Sequence, residues 1–305
     1  MPNRQRYIST TDNPLSGESI EMIQLAEAMG AEVVYGVPPE GLLVYMINLN
    51  LRSGTRDFME LAERRAKRRG LNLFIIGTCK SWEELEKWRP YFKVVKQLSD
   101  VIFVHHPAQI DYLDRYDIAA VYKPITEQRY KGSVSPRKGT VVYSGFLWDE
   151  KDIKTFVNVA RRLPEWSFTI HVGQNVVSQE ALPNNCIFNG DFIQTEQYLE
   201  YLAGFEYVWI PRTPTTQVYA GRSGISAVAS GRPAILTDVA ANEIIPSGAA
   251  IKYPHDWTAD QVAELIDSRP RANSDIVEQF LHTVSPSNVW KEMTGELKKR
   301  GFADF

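Results

Sequence analysis

The run Pro211-Arg212-Thr213-Pro214-Thr215-Thr216-Gln217-Val218-Tyr219-Ala220-Gly221-Arg222-Ser223-Gly224 joins two arginines to small residues at the start of a helical stretch. That stretch, Ile225 to Ser230, stops at Gly231-Arg232-Pro233. Small residues at a helix start let a ligand approach the backbone, and free N–H groups with the helix dipole attract a phosphate there. Arg212 and Arg222 would add charge-assisted bonds to its oxygens, and Ser223 and Gly224 would offer amides. A capped helix flanked by two solvated arginines has the same pattern. Tyr143-Ser144-Gly145-Phe146-Leu147-Trp148-Asp149-Glu150-Lys151 is a second strand-to-helix turn. Lys151 stands at the helix start, where a bare helix disfavours a cation. A bound anion would account for it, and so would the neighbouring Asp149 and Glu150.

Three further groups carry potential chemistry. Asp12-Asn13-Pro14-Leu15-Ser16-Gly17-Glu18 follows the first strand. Asp12 is a candidate base and Gly17 a point of close backbone approach, while a plain Asx/Pro turn with Ser16 capping a helix fits equally. His105-His106-Pro107 ends another strand. His105 could hydrogen-bond a sugar or act as general base, or be a satisfied structural histidine. Five of the six residues from Arg64 to Arg69 are basic (Arg64, Arg65, Lys67, Arg68, Arg69). They suit an anionic acceptor, with Arg64, Arg65 and Arg68 as its contacts. A solvated helix end would look the same.

Loops are positioned by the elements around them. Short β-rich runs alternate with amphipathic helical stretches along the whole chain, which predicts βα units around parallel sheets. Strands are expected near Tyr7–Thr10, Glu32–Val37, Leu42–Asn48, Leu71–Gly77, Asp100–His105 and Ile118–Tyr122. A second set follows at Thr140–Ser144, Trp166–Val172, Glu206–Ile210, Pro233–Thr237 and Ala249–Tyr253. Met22, Leu25, Ala26 and Met29 form the stripe of a helix over about Glu18–Met29, closed by Gly30. Further helices are expected at about Asp57–Arg69, from Lys151, at Glu196–Leu202, Arg222–Ser230, Ala259–Asp267 and Ser287–Arg300. Pro124 to Gly139 breaks the pattern with two prolines and two glycines and serves as a boundary. The expected domains are 1–125, 139–285, and a C-terminal helical segment, 286–305, that packs back on the first domain. Two such domains make a cleft, with ligands at the carboxyl ends of the strands.

Composition narrows the function classes. The chain has 305 residues, 44% apolar and 23% charged, which is ordinary globular usage. Its 34 Lys and Arg against 37 Asp and Glu give a net charge of −3, so a generally basic nucleic-acid coat is excluded. Cys79 and Cys186 are too far apart for a metal pair or a disulfide framework. No metal ligand cluster is visible. No run spans a bilayer and no signal peptide is visible, so a soluble cytoplasmic protein is expected.

The second half resembles the nucleotide-binding domain of GT-B glycosyltransferases, especially the large retaining family of sucrose, trehalose-phosphate and lipopolysaccharide transferases. Several blocks carry the resemblance, in the family's order. Gly145-Phe146-Leu147 with Lys151-Asp152 is similar to its Gly-Arg-Leu…Lys-Gly turn. Ile170-His171-Val172-Gly173 is similar to its next strand end, and Asn185-Cys186-Ile187-Phe188-Asn189-Gly190 to its Asn-x-x-Phe-x-Gly. Ile210-Pro211-Arg212 is similar to its Pro-Ser strand end. Ser226-Ala227-Val228-Ala229-Ser230-Gly231-Arg232-Pro233 resembles Glu-Ala-Met-Ala-x-Gly-x-Pro. Asn242-Glu243-Ile244-Ile245 resembles Pro-Glu-Ile-Ile. The blocks span roughly Val141 to Tyr253.

The resemblance implies an α/β fold of two Rossmann-like domains facing across a cleft. It implies an enzyme that moves a sugar from a UDP- or GDP-sugar to a hydroxyl, with no metal and no cofactor besides the donor. The implied donor site is Gly17, Gly145, Lys151, Gly173, Arg212, Arg222, Ser223, Gly224 and Ser226. The family's phosphate-binding Arg falls on Phe146, and its paired glutamates fall on Val218 and Ser226. Those departures motivate a second reading, a catalytically silent nucleotide-sugar-binding module. The short chain is also reminiscent of phage enzymes that glycosylate hydroxymethylated bases, which with the basic helix makes DNA one acceptor to consider. A cell-surface polysaccharide and a small molecule are the others. Oligomeric state is not encoded in any motif. A dehydrogenase or epimerase is disfavoured, because the loop after Thr10 offers only Gly17 instead of Gly-x-Gly-x-x-Gly.

Overall fold

The computed structural model describes residues 5–9, 17–34, 36–38, 40–47, 54–67, 70–76, 86, 89–145, 152–172, 182–191, 193, 195–214 and 221–302. The first elements are β1 (Arg6–Ser9), α1 (Gly17–Met29), β2 (Glu32–Val34), β3 (Gly41–Ile47), α2 (Gly54–Ala66), β4 (Gly70–Ile76), α3 (Arg89–Leu98), β5 (Val101–Val104), α4 (Pro107–Asp114) and β6 (Ala120–Tyr122). They are followed by β7 (Arg137–Ser144), α5 (Ile153–Arg162), β8 (Ser167–His171), β9 (Cys186–Asn189), α6 (Thr195–Ala203) and β10 (Phe205–Ile210). The chain ends with α7 (Arg222–Ala229), β11 (Ala234–Asp238), β12 (Ile251–Pro254), α8 (Ala259–Asp267), α9 (Ser274–Val284) and α10 (Pro286–Lys299).

These elements form two compact units. One holds the residues up to Glu127 together with those from Thr283 onward; the other holds the region from Gln128 to His282 apart from residues 216–220. Each unit is built on a six-stranded sheet, ordered β2-β1-β3-β4-β5-β6 in the first and β12-β11-β10-β7-β8-β9 in the second. Among the described residues every strand pair of the two sheets is parallel. Both units are therefore Rossmann-like.

In the first unit β4 and β5 are covered on both faces and so read as continuous apolar runs, Leu73-Phe74-Ile75-Ile76 and Val101-Ile102-Phe103-Val104. The twofold alternation of strand side chains splits the core in two. Leu43, Phe74, Ile76, Ile102 and Val104 meet Leu61 of α2, Phe92 and Val95 of α3, and Tyr112 and Leu113 of α4. Leu42, Val44, Leu73, Ile75, Val101 and Phe103 meet the predicted α1 stripe and Val289, Met293 and Leu297 of α10. Right-handed crossovers place α1 on one face and α2 to α4 on the other. The sheet beyond α1 would then be bare, and the last helix of the chain covers it.

In the second unit Phe156 of α5 stacks on Trp209 of β10 at 5.0 Å and meets Phe168 of β8 edge-on at 5.4 Å. Asp152 caps α5 by accepting from Thr155 N–H at 2.9 Å.

Several elements depart from the sequence pattern. α2 starts and ends three residues earlier than expected, because Gly70 already pairs with Gly41 in the sheet. Four elements went unforeseen: α3, α4, α9 and β9. α3 has no acid in its first turn, and α4 is capped by His106 instead of Ser, Thr, Asp or Asn. Among the described residues no helix is long and apolar enough to cross a membrane.

Candidate functional site

In the second sheet the chain passes from β7 to β8 on one side and from β10 to β11 on the other. The switch point lies between β7 and β10, where open α/β sheets hold ligands at the carboxyl ends of the strands. Both turns singled out from the sequence start there. Gly145, just past β7, has φ +126°, a region that favours glycine, and a Cβ on it would lie 3.6 Å from Ser223 Cβ. The turn after β7 thus rests against the first turn of α7, 78 residues later. Asp152 N–H donates to Pro211 O at 3.2 Å, which ties the start of α5 to the loop after β10.

The N-cap of α7 is Gly221, which has no side chain to cap the helix. Arg212 packs beneath that start. It is 3% exposed, its Nη2 donates to Ser223 Oγ at 3.3 Å, and its backbone N–H donates to Thr237 Oγ1 at 2.9 Å. Thr237 in turn bonds Tyr253 OH at 3.0 Å, and Tyr253 OH accepts from Trp209 Nε1 at 3.1 Å. Burial pushes the Tyr253 phenol up to about 12, against the hydrogen bonds from Thr237 and Trp209, so it stays neutral. A Cβ on Gly221 would stand 2.6 Å from Arg212 Nη2, so the glycine makes room for the guanidinium.

The rim carries unsatisfied polar atoms. Ser144 Oγ, His171 Nδ1 and Asn242 Oδ1 are buried and have no hydrogen-bond partner among the described residues. Ser144 and His171 are register partners at the ends of β7 and β8. Burial pushes the His171 imidazole down, with Asp191 opposing, so the ring favours its neutral form. Uncommitted polar atoms at the carboxyl edge of a parallel sheet are groups that a ligand or water completes. A glycine at the helix start, a buried arginine under it and a glycine turn beside it are groups of the kind that can receive an anion with several oxygens.

The other predicted residues fall as follows. Arg222 is the first residue of α7 and half-buried, and Ser223 and Gly224 follow in the same turn. Ser226 is 2% exposed, inside the packed helix. Gly17 is the first residue of α1. Asp12, Arg68, Phe146, Lys151, Gly173 and Val218 lie outside the described residues. His105 is 0% exposed and sits beside Glu21 and Lys123 in the first unit.

The basic cluster needs correction. Arg64 is not a surface cation: it is 2% exposed, and it donates to Asn72 Oδ1 at 2.8 Å, Pro38 O at 3.0 Å and Gly41 O. Arg65 is held by Asp100. Both lie where α2 runs into β4, at the amino edge of the sheet, opposite the edge that collects ligands. The reason is geometric, since unpaired carbonyls at the strand starts attract a guanidinium fork. Sequence reading also missed Glu21, Lys123 and Thr237, and it named Asn242 only as part of the block Asn242-Glu243-Ile244-Ile245, with no role of its own. Glu21 was visible as an acid four residues before Leu25, on the flank of the α1 stripe; Lys123 and Thr237 carried no local signal.

No family model matches the chain, and no curated protein matches it. Solved structures do. The chain is similar to Anabaena HepE, solved with UDP, at a TM-score of 0.70 and 11% identity over 97% of this chain and 100% of that one. Sucrose-phosphate synthase from Thermosynechococcus elongatus matches at 0.69 and 15% over 99% and 100%. Trehalose-phosphate synthase from Burkholderia vietnamiensis matches at 0.60 and 12% over 92% and 77%. At such identities the likeness shows the fold, and that fold is the GT-B glycosyltransferase fold.

Proposed function

We propose that the protein is a nucleotide-sugar-dependent glycosyltransferase whose second unit grips the donor diphosphate at the β7–β10 switch point. One observation carries this reading: Gly145 and Ser223 meet at the start of α7, whose N-cap is Gly221, over a buried arginine. In the reaction the bond from the anomeric carbon to the diphosphate oxygen breaks and a bond from the acceptor oxygen forms. The acceptor proton leaves with the diphosphate or passes to a base. The α7 amides, Arg212 and Arg222 stabilise the charge that grows on the leaving diphosphate, the role positioned donors fill in transfer enzymes. Lys151 and Gly173 extend the donor site, and His105 and Asp12 are the groups for proton transfer. UDP-sugars are the first donors to test, because HepE was solved with UDP and with UDP-glucose.

The acceptor is a hydroxyl compound. DNA has lost its main support, since Arg64 and Arg65 are committed to structure. The test is calorimetry with UDP and GDP, followed by turnover of their sugars. Binding of neither nucleotide would defeat the reading. The silent-module reading is favoured by Ser226, a buried hydroxyl where the resembled family has a glutamate. Tight donor binding without transfer or hydrolysis for any acceptor would decide for it.

A further inference from the structure

In the first unit α10 does not close fully over the β5–β6 side of the sheet. A cavity of about 340 Å3 lies there, between the two strands and the helix. Sites for small molecules span about 300–1,000 Å3, so this space suits a ligand at the small end of that range. Its floor is apolar. Phe103 of β5 and Val289 and Met293 of α10 are buried in it, and Val121 of β6 packs with them. Ordered water needs about two to four polar partners, which such a floor does not supply.

The helix itself leaves the space open. Gly295 lies inside α10, where glycine is less favourable than alanine. A Cβ on it would meet nothing within 4 Å and its backbone is helical, so neither packing nor conformation asks for glycine. The missing side chain lowers the cavity wall.

Charge then selects the ligand. Lys123, at the cavity edge, is neutralised by Glu21. Glu296 is paired with Lys299 at 3.6 Å and with Arg300 at 2.8 Å. Glu292 also lines the cavity, and its Oε1 accepts from Asn288 Nδ2 at 3.1 Å. Among the described residues no cation is paired with it. Burial, with the Glu292 charge adding to it, pushes the Tyr122 phenol up to about 12, so that ring stays neutral beside the carboxylate. The rings of Phe103 and Tyr122 favour a cation over an anion, because aromatic faces carry negative charge density.

We propose that this cavity binds a small cation with an apolar body, an aryl or alkyl ammonium, whose body lies on Phe103 and Met293 and whose ammonium pairs with Glu292. The site lies within the first unit and does not rest on the transfer reading above.

The test uses the full chain with 13C-labelled methionine methyl groups, the Met293 signal being assigned from Met293→Leu. Three probes share one ring and differ in head group: benzylamine, benzyl alcohol and benzoate. Benzylamine should move the Met293 signal saturably and bind about tenfold more tightly than benzyl alcohol, the worth of one charged contact, with benzoate weaker still. Glu292→Gln should make benzylamine and benzyl alcohol equal. Gly295→Leu should fill the space and abolish the response to benzylamine. A Met293 signal that ignores benzylamine would overturn the proposal and leave water as the occupant. So would benzyl alcohol or benzoate binding as tightly as benzylamine, an amine preference that survives Glu292→Gln, or an undiminished response in Gly295→Leu. If Gly295→Leu does not fold, the head-group series and Glu292→Gln still decide. A protein that binds benzylamine here but no nucleotide would defeat the transfer reading and leave this site standing.

Discussion

Replacing Gly221 with alanine tests the packing that shapes the proposed diphosphate site. Gly221 has φ −77°, a value any residue adopts, so the backbone does not require glycine there. The neighbours do. An added Cβ would stand 2.6 Å from Arg212 Nη2, 3.1 Å from Arg212 Cζ and 3.3 Å from Ala241 O. Non-bonded heavy atoms rest at roughly 3.5–4 Å, so the guanidinium would have to move by about 1 Å. Arg212 is buried and its contact to Ser223 Oγ is already 3.3 Å, so the shift breaks that bond. Overpacking of this kind costs about 1–3 kcal/mol of stability. Displacing a cation from the diphosphate costs about 1.5–3 kcal/mol of binding, or roughly 10- to 100-fold in Kd.

The comparison is Gly231→Ala. Gly231 has φ +75° and nothing within 4 Å of a Cβ, so alanine there meets backbone strain alone, about 1–2 kcal/mol. Both variants should lower the Tm, by about 2–4 °C per kcal/mol for a domain of this size. Only Gly221→Ala should weaken UDP binding in calorimetry. Equal UDP affinity in the two variants would refute the placement of the diphosphate over Arg212.

Other outcomes follow from the same geometry. Arg222→Ala should raise the Kd for UDP by about 10- to 100-fold, the worth of one charged hydrogen bond; an unchanged Kd in calorimetry would remove Arg222 from the site. Arg64→Met should destabilise the protein by about 3 kcal/mol in urea titration, because buried carbonyls lose their donor, and should leave UDP affinity alone. Wild-type stability in that variant would mean that the guanidinium is idle. Glu21 has a folded pKa below its ordinary value of 4.5. Its contribution is therefore complete above that value and is lost as pH falls below it toward the folded value. Urea titrations at falling pH should show this slope, and Glu21→Gln should flatten it; parallel pH profiles would show that the carboxylate contributes nothing.

Much of the fold was legible because it is local. Apolar runs bounded by turn residues mark β4, β5, β7 and β10, and the spacing of Met22, Leu25, Ala26 and Met29 marks α1. These patterns record which face of an element is buried, and burial dominates the choice of conformation. Some elements that escaped notice carry such marks too: Phe92, Val95 and Leu98 line α3, and Ile276, Val277, Phe280, Leu281 and Val284 line α9. α4 has Pro107 and Gln109 as ordinary start signals, but its cap is the histidine His106 instead of Ser, Thr, Asp or Asn. Of the candidate site, the glycine turn and the small-residue helix start were readable as turn types. The depth of Arg212 and the half-buried place of Arg222 were not, because two arginines ten residues apart look alike until the sheet beneath one of them exists.

By itself the sequence determined two rounds of βα units, the places where strands end in turns, and an ordered set of blocks that resembles the GT-B family. Those follow from side-chain periodicity and turn stereochemistry, which act over a few residues. The tertiary structure alone decided which polar groups meet. Gly145 reaches Ser223, Glu21 reaches Lys123 across 102 residues, and Arg64 turns inward to carbonyls of two strands. These contacts arise because parallel strands must be joined by long crossovers, which bring distant segments to the same sheet edge. Charge and hydrogen bonding then select partners among whatever that edge collects.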